Sequence, residues 1–419
     1  MNPYGTVLNV SMRVNETMEK KKPIKMQNSS RLVLPALVLA RFATQPSGLI
    51  TGLLLIEIGN TFGTQVGVTG QIRAISSTIA LIFALLIGML SVRFRNKSLL
   101  MIGLLCYVVS ALGCSVAPNF NMMILTFSVS GIGMATVRPM ASALAGEHIP
   151  LERRAKAVGW ILAGGSISYL VGAPVISYIA GIGDWRMTFL GFMFPVSLLT
   201  MVVAYVGIPS RHEKRGVETG DWELLEGFKR VFSNLSAVAC LLGASLGMAT
   251  WTATLTYSVS FFRQRFLIST GWASLIISGL ALCFTLGSLS SGYLINFFGR
   301  KRFTVISTFL LGVFTIVYLN LGVLWMSLVL AFISCILAGM RYSASDNLTL
   351  EQLPEFRGTL MSISSAASSL GSTLGAGIGG LVLTLGDYGS LGISLGSFGM
   401  IAAVVYLLLA IDPTVEHKI

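Results

Sequence analysis

The chain has 419 residues, of which 54% are hydrophobic and only 11% charged, and its formal net charge is +12 from 29 Lys+Arg against 17 Asp+Glu. Charged residues make up about 25% of an ordinary soluble protein, so this composition excludes a water-soluble enzyme, which needs far more charge on its surface. It also excludes a nucleic-acid binder, whose basic residues crowd onto a polar surface that this chain lacks. A polytopic membrane protein remains: at roughly 20 apolar residues per crossing plus short loops, the length accommodates about twelve helices.

Residues 1–31 read as a polar tail rich in Lys20, Lys21, Lys22, Lys25 and Arg31. The apolar run that follows is too long for the h-region of a cleaved signal peptide. Spanning runs are predicted over 32–56, 72–91, 98–117, 121–146, 157–180 and 187–208, and again over 236–260, 272–296, 303–321, 325–349, 359–384 and 389–411. Two six-helix bundles, 32–208 and 236–411, therefore flank a charged linker at 209–235, and 412–419 form a second tail. Within the linker, Trp222, Leu225, Phe228, Val231 and Phe232 recur at helical spacing between Glu223, Glu226, Lys229 and Arg230. That pattern predicts an amphipathic helix, suited to the membrane surface. Cys106, Cys114, Cys240, Cys283 and Cys335 all lie in apolar runs without metal-like spacing, so neither a disulfide framework nor a metal site is expected.

With the N-terminus placed inside, 22 of the 29 basic residues fall on inside segments and only Arg73, Arg186, Arg263 and Arg265 fall outside. Basic loops stay in the cytoplasm, so both termini are predicted to be cytoplasmic, in the plasma membrane. Arg41, Arg138 and Arg341 remain within spans.

The two halves repeat. At one offset of 204 residues, Gly88, Leu90, Phe94 and Lys97 match Gly292, Leu294, Phe298 and Lys301, and Glu147, Pro150 and Arg153 match Glu351, Pro354 and Arg357. Both clusters sit on corresponding inside loops. Parallel six-span repeats are a transporter design with substrate near the midplane between the halves.

These loops resemble those of the major facilitator superfamily over nearly the whole chain. Gly292-Tyr293-Leu294-Ile295-Asn296-Phe297-Phe298-Gly299-Arg300-Lys301-Arg302 is similar to the family's G-x-L-x-D-x-x-G-R-R/K-R loop, and the stretch from Gly88 through Arg93 to Lys97 is a degraded copy. The family's acidic residue is Asn296 in one copy and Val92 in the other. Gly131-Ile132-Gly133 followed by Pro139, the run from Pro150 to Ala157, and Trp185-Arg186-Met187-Thr188-Phe189 match further family elements. Gly172-Ala173-Pro174 resembles the span-5 element of antiporters, without its trailing glycine pair. The resemblance implies an all-α membrane protein with twelve transmembrane helices in two pseudo-symmetric bundles. It implies secondary transport by alternating access, with proton-coupled export of a small organic solute or drug. The expected partners are a small-molecule substrate, protons and the lipid bilayer, without nucleic acid, and the protein is expected to be a monomer.

An arginine at mid-bilayer costs roughly 2.5–3.5 kcal/mol on insertion scales, so Arg41, Arg138 and Arg341 need a reason to be there. In the family, spans 1, 4, 7 and 10 line the cavity. One role for the three arginines is to attract an anionic substrate with guanidinium forks, which makes an anion importer or facilitator the alternative to an exporter. Arg138 and Arg341 are equally suited to gating or packing. Asp346 is the candidate proton-coupling carboxylate, with a plain ion pair to an arginine as its other role. Gln45, Trp251 and Tyr257 are the uncharged cavity candidates, and span 7 adds Ser245, Thr250, Thr252, Thr254, Thr256 and Ser258. Glu57 reads as a solvated loop residue. Glu147 and Glu351, beside Arg153 and Arg357, read as inner-gate salt bridges, and Gly88, Arg93, Gly292, Gly299, Arg300 and Lys301 as residues of the inner-gate loops. No phosphate loop, paired histidine motif or catalytic constellation occurs, so no cofactor and no enzymatic activity are expected.

Overall fold

The computed structural model describes residues 32–209 and 221–413. Among these residues the chain is helical, without strands. Hydrocarbon offers backbone N–H and C=O groups no partner, so a crossing chain must close its hydrogen bonds within itself. Among the described residues twelve helices are long and apolar enough to cross. Span 1 comes in three pieces, Val33–Ala43, Pro46–Leu53 and Leu55–Phe62. Spans 2 to 5 are Val66–Arg93, Asn96–Ser115, Phe120–His148 and Leu151–Ile182, and span 6 runs from Arg186 to Gly207 through a π turn at Phe189–Met193. Spans 7 to 12 are Leu235–Phe266, Thr270–Phe298, Arg300–Asn320, Leu324–Leu350, Arg357–Leu385 and Tyr388–Leu409. Twelve crossings bring Leu32, the linker and residue 413 to one face, the tail face. The turn between spans 1 and 2 lies on the opposite, far face.

Helix ends follow local chemistry. Asn119, Asn234 and Asp387 accept from the backbone N–H groups of Met122, Ala237 and Ser390, capping spans 4, 7 and 12. Gly63 and Gly299 stand at φ +65° and +82°, values a side chain disfavours, and they end spans 1 and 8. Three expectations need correction. Span 2 begins at Val66 rather than 72, so Arg73 lies inside a membrane helix and not in an outside loop. Gly88 and Arg93 belong to the last turns of span 2, and Gly292 to those of span 8, so the stretches read as loops are mostly helical. Glu57 is not a solvated loop residue: it sits in the third piece of span 1 and is ion-paired.

One hydrophobic core draws almost entirely on spans 1–6, with Val259, Ala273 and Ile277 reaching in from spans 7 and 8. A second draws on spans 7–12, with Leu55 reaching across. The bundles meet where span 2 packs along span 11, span 5 along span 8, and span 1 against span 7. Glycines make the first seam close. A Cβ on Gly67 would collide with the Gly380 carbonyl oxygen and the Thr384 hydroxyl, and one on Gly70 would enter the Tyr257 ring. Gln71 donates to the Gly377 carbonyl (2.9 Å) and Thr78 to Thr373 (3.5 Å). Ser166 and Thr285 share a hydrogen bond (2.7 Å), and Ser278 donates to the Tyr169 carbonyl (3.2 Å). These contacts run from the midplane toward the far face.

An ion pair completes that closure. Arg263 of span 7 lies 2.7 Å from Glu57 of span 1. Its Nη1 also donates to the Leu53 carbonyl (3.3 Å), and Thr270 donates to Glu57 (3.3 Å). The linker helix, Asp221–Ser233, docks on the tail face by burying Val231 against Ala237, Leu241, Leu360 and Ile363. Arg230 lies over the Phe356 ring at 5.7 Å, while Phe228 and Phe232 stay exposed. Residues 210–220 and the side chains of Trp222, Glu223 and Leu225 lie outside the described residues.

Hydrogen bonds to charged groups contribute about 1.5–3 kcal/mol, and 1.4 kcal/mol is tenfold in an equilibrium. Arg263→Gln and Glu57→Gln are therefore each expected to raise far-face opening about tenfold. The measurement is labelling of Ala376→Cys, a buried seam position, by an impermeant thiol reagent in a background without other cysteines. An unchanged labelling rate in both variants would contradict this closing role of the Glu57–Arg263 pair.

Candidate functional site

The break in span 1 places Arg41. Pro46 has no N–H to continue the helix, so the backbone N–H of Gln45 turns back to the Phe42 carbonyl (3.2 Å) and the Thr44 hydroxyl closes on the Arg41 carbonyl (2.8 Å). Arg41 thus ends a helical piece near the middle of the bundle. Gly165 of span 5 lets the helices close around it: a Cβ there would stand 3.6 Å from Arg41 Nε and 3.3 Å from Gln45 Nε2. Gln45 is buried and donates to Thr44 (3.0 Å). Arg138, just before Pro139 in span 4, comes within electrostatic range of Arg41. Nε and Nη1 of Arg41 and Nε of Arg138 are buried without a hydrogen-bond partner among the described residues.

Tyrosines surround this pair. Tyr107 of span 3 is fully buried, its hydroxyl is unpartnered, and it lies in range of both arginines. Tyr169 of span 5 is in range of Arg41. Tyr342 of span 10 comes from the other bundle and is in range of Arg41, Arg138, Arg341 and Asp346. The groups acting on Arg41 are thus a second arginine and three tyrosines, with no carboxylate among them. Two like charges in a low-dielectric setting repel, and hydrogen-bond donors left over there favour an anion.

Arg341 takes a different course from its repeat mate. It is 2% exposed, and its guanidinium lies where a Cβ on Gly247 of span 7 would stand. It is in range of Tyr406 and Asp346, inside the second bundle rather than beside Arg41. Asp346 is half-buried and, among the described residues, makes no hydrogen bond or ion pair. Trp251 is buried and stacks on Phe284 of span 8, centroids 4.3 Å apart. Phe284 in turn meets Tyr342 at 5.9 Å. Tyr257 is buried in the seam and donates to the Ala376 carbonyl (2.7 Å). The hydroxyls of span 7 join helices: Thr250 donates to the Leu395 carbonyl, Thr252 to Ser372, and Ser258 shares a hydrogen bond with Tyr318.

At the tail face the repeat is visible as chemistry. Asn96 donates to Glu147, and 204 positions on Arg300 pairs with Glu351 at 3.6 Å. The pair joins Glu351, at the end of span 10, to Arg300, at the start of span 9. Lys97 caps the end of span 6, donating to the Tyr205 (2.8 Å) and Ile208 (2.6 Å) carbonyls, where the helix dipole favours a cation. Arg153 is exposed and Lys301 partly so. The surroundings of Gly88 and the side chains of Arg93 and Arg357 lie outside the described residues.

Reading the sequence missed Arg73, Tyr107, Tyr169, Phe284, Tyr342 and the Glu57–Arg263 pair. Arg73 donates to the Gly48 carbonyl (2.9 Å), so its charge rests on span 1. Tyr107 was detectable as a polar-tipped residue in the middle of an apolar span, and Tyr342 as the neighbour of Arg341. Nothing local marks Phe284.

A family model described as Major Facilitator Superfamily matches residues 37–279 and 240–419. The Bacillus subtilis protein named uncharacterized MFS-type transporter YwfA is 24% identical, with 88% of this chain and 90% of that protein covered. Multidrug resistance protein 2 of the same organism is 22% identical over 87% and 91% of the two chains. The crystal structure of the nucleoside transporter NupG has a TM-score of 0.74 at 16% identity, covering 91% of this chain and 99% of that one. A bacterial homolog of the human lysosomal transporter Spinster, in an inward-facing unoccupied conformation, scores 0.72 at 15% identity over 91% and 98%. With both bundles covered by the family model and transporters as its relatives, this chain belongs to the major facilitator superfamily and is a membrane transporter, not an enzyme.

Proposed function

We propose that the protein is a secondary transporter that moves an organic anion by alternating access, with Arg41 and Arg138 as its anion-binding pair. The observation that carries this reading is the pair itself: two half-buried arginines in mutual range, with Nε and Nη1 of Arg41 and Nε of Arg138 buried and unpartnered among the described residues, and no carboxylate acting on Arg41. A ligand carboxylate or phosphate satisfies both charge and hydrogen bonding. Tyr342 brings the second bundle to the same ligand, so binding couples to the relative position of the bundles. The far-face contacts support a state closed on that side. The excess of basic residues on the tail side supports a cytoplasmic tail face in the plasma membrane, and hence a site reached from the cytoplasm in this state.

Asp346 is the carboxylate proposed to couple transport to protons. It stands beside Arg341 and Tyr342 without an ion pair of its own, so it is available to take up a proton as the anion arrives and release it on the other side. Efflux by proton antiport is the second reading. Two relatives named multidrug resistance proteins favour it, as does Gly172-Ala173-Pro174 in span 5. A relative named as a sialic acid transporter agrees with an anionic cargo.

In proteoliposomes, Arg41→Gln and Arg138→Gln are each expected to raise KM for an anionic substrate about tenfold or more, the equivalent of one lost charge-assisted hydrogen bond. Lys97→Gln, at the span-6 cap, serves as a control with unchanged KM. Unaltered anion flux in both arginine variants would overturn the anion site. An imposed pH gradient is expected to drive accumulation in the parent protein and to lose that effect in Asp346→Asn, while exchange of substrate without a gradient persists. Gradient-driven accumulation that survives Asp346→Asn would assign coupling elsewhere.

A further inference from the structure

We infer that the anion carries a flat aromatic or conjugated group, which stacks on the face formed by Tyr342 and Phe284 while its charged end lies on Arg41 and Arg138. This rests on the anion reading above and specifies the substrate class for the same site.

Three aromatic side chains form a ladder across the second bundle. Trp251 of span 7 stacks on Phe284 with ring planes 21° apart, and Phe284 meets Tyr342 at 52°. Exposure rises along the ladder, from 8% at Trp251 to 37% at Tyr342. Its open end is therefore the end nearest the arginines. From the first bundle, Tyr169 packs against both hydrophobic cores and lies in range of Arg41. The charged pair thus has aromatic groups on both sides of the bundle interface.

The ladder is held in place. A Cβ on Gly339 would collide with the Phe284 carbonyl oxygen, so spans 8 and 10 touch backbone to backbone. That contact fixes Phe284 and, three residues beyond Gly339, Tyr342. A rigid aromatic face loses little entropy on binding a flat ring, and ring pairs gain beyond their buried area.

The alternative anions fit less well. A sugar phosphate or other polyhydroxylated anion needs a wall of hydroxyl and amide partners. Span 7 has the hydroxyls, but Thr250, Thr252 and Ser258 bond to spans 12, 11 and 9. A small inorganic anion would leave the aromatic face without a partner.

The test uses matched carboxylates on the purified full-length protein, read as thermal stabilisation against concentration. The probes are 2-naphthoate, its fully saturated decahydro counterpart, inorganic phosphate and 2-naphthylmethylamine. The expected result is a half-effect concentration for 2-naphthoate about tenfold below that of the saturated acid, with phosphate weaker than both. Phe284→Leu and Tyr342→Leu should reduce that preference to about twofold or less, and Tyr342→Phe should keep it. The unliganded melting temperature of each variant shows whether it has folded, and Tyr342→Leu tests the ring even if Phe284→Leu fails to fold. Equal half-effect concentrations for the two acids, or a preference that survives both leucine variants, would overturn the aromatic assignment while leaving the anion site standing. Stabilisation by the amine equal to that by 2-naphthoate would overturn the anion reading itself.

Discussion

A guanidinium group inside a bilayer must find its partners within the protein, and where each arginine finds them organises this molecule. Arg73 and Arg263 settle on carbonyl oxygens of span 1, at Gly48 and Leu53. The Leu53 carbonyl adjoins the break at Leu54, where one helical piece of span 1 ends and the next begins. Arg341 is folded onto Gly247 inside the second bundle. Arg41 has Arg138 and three tyrosines in range, and Tyr107 is in range of both arginines. Among the described residues unpartnered nitrogens remain on Arg341 as well as on Arg41 and Arg138, but Arg341 has Asp346 in range whereas Arg41 has a second arginine and tyrosines, and it is this like-charge pair that the proposed anion would satisfy.

Close backbone approach is the second organising feature. Without water to drive apolar surfaces together, membrane helices associate through packing, which small residues allow. Gly371 and Gly375 of span 11 meet the backbone of span 7 at Ser245 and Ala249, within one bundle, whereas Gly380 meets Gly67 across the two bundles. Span 11 therefore has one face committed to its own bundle and another at the seam. A seam made of glycine backbone and a few hydrogen bonds can part without extracting large side chains from a core. The Glu57–Arg263 pair adds a polar contact at the far end of the same interface.

Much of this architecture was legible in the chain. The twelve spans follow from apolar run length, and the repeat at offset 204 marked Glu147 and Glu351, whose partners Asn96 and Arg300, themselves 204 residues apart, only the structure shows. Arg41 and Arg138 stood out because a charge in an apolar run is anomalous. The same rule failed for Arg73. A charge near the start of an apolar run looks like its boundary, and only the Gly48 carbonyl on another helix shows otherwise. Tyr257 and the span-7 hydroxyls looked like cavity lining because their helix faces the centre. Tyr257, Thr250, Thr252 and Ser258 bond instead to spans 9, 11 and 12.

Composition and periodicity by themselves determined that the protein crosses a membrane twelve times in two related halves. Crossing a bilayer is a constraint on each segment alone: every run must be long and apolar enough to close its own hydrogen bonds in hydrocarbon. What only the tertiary structure decided is which polar groups are spent on holding helices together and which face the space between the bundles. That depends on the direction of each side chain about its helix axis and on partners hundreds of residues away. Arg138 and Arg341 occupy nearly equivalent places in the repeat, yet one lies beside Arg41 and the other is buried on Gly247. The neighbouring helix, not the local sequence, separates their roles.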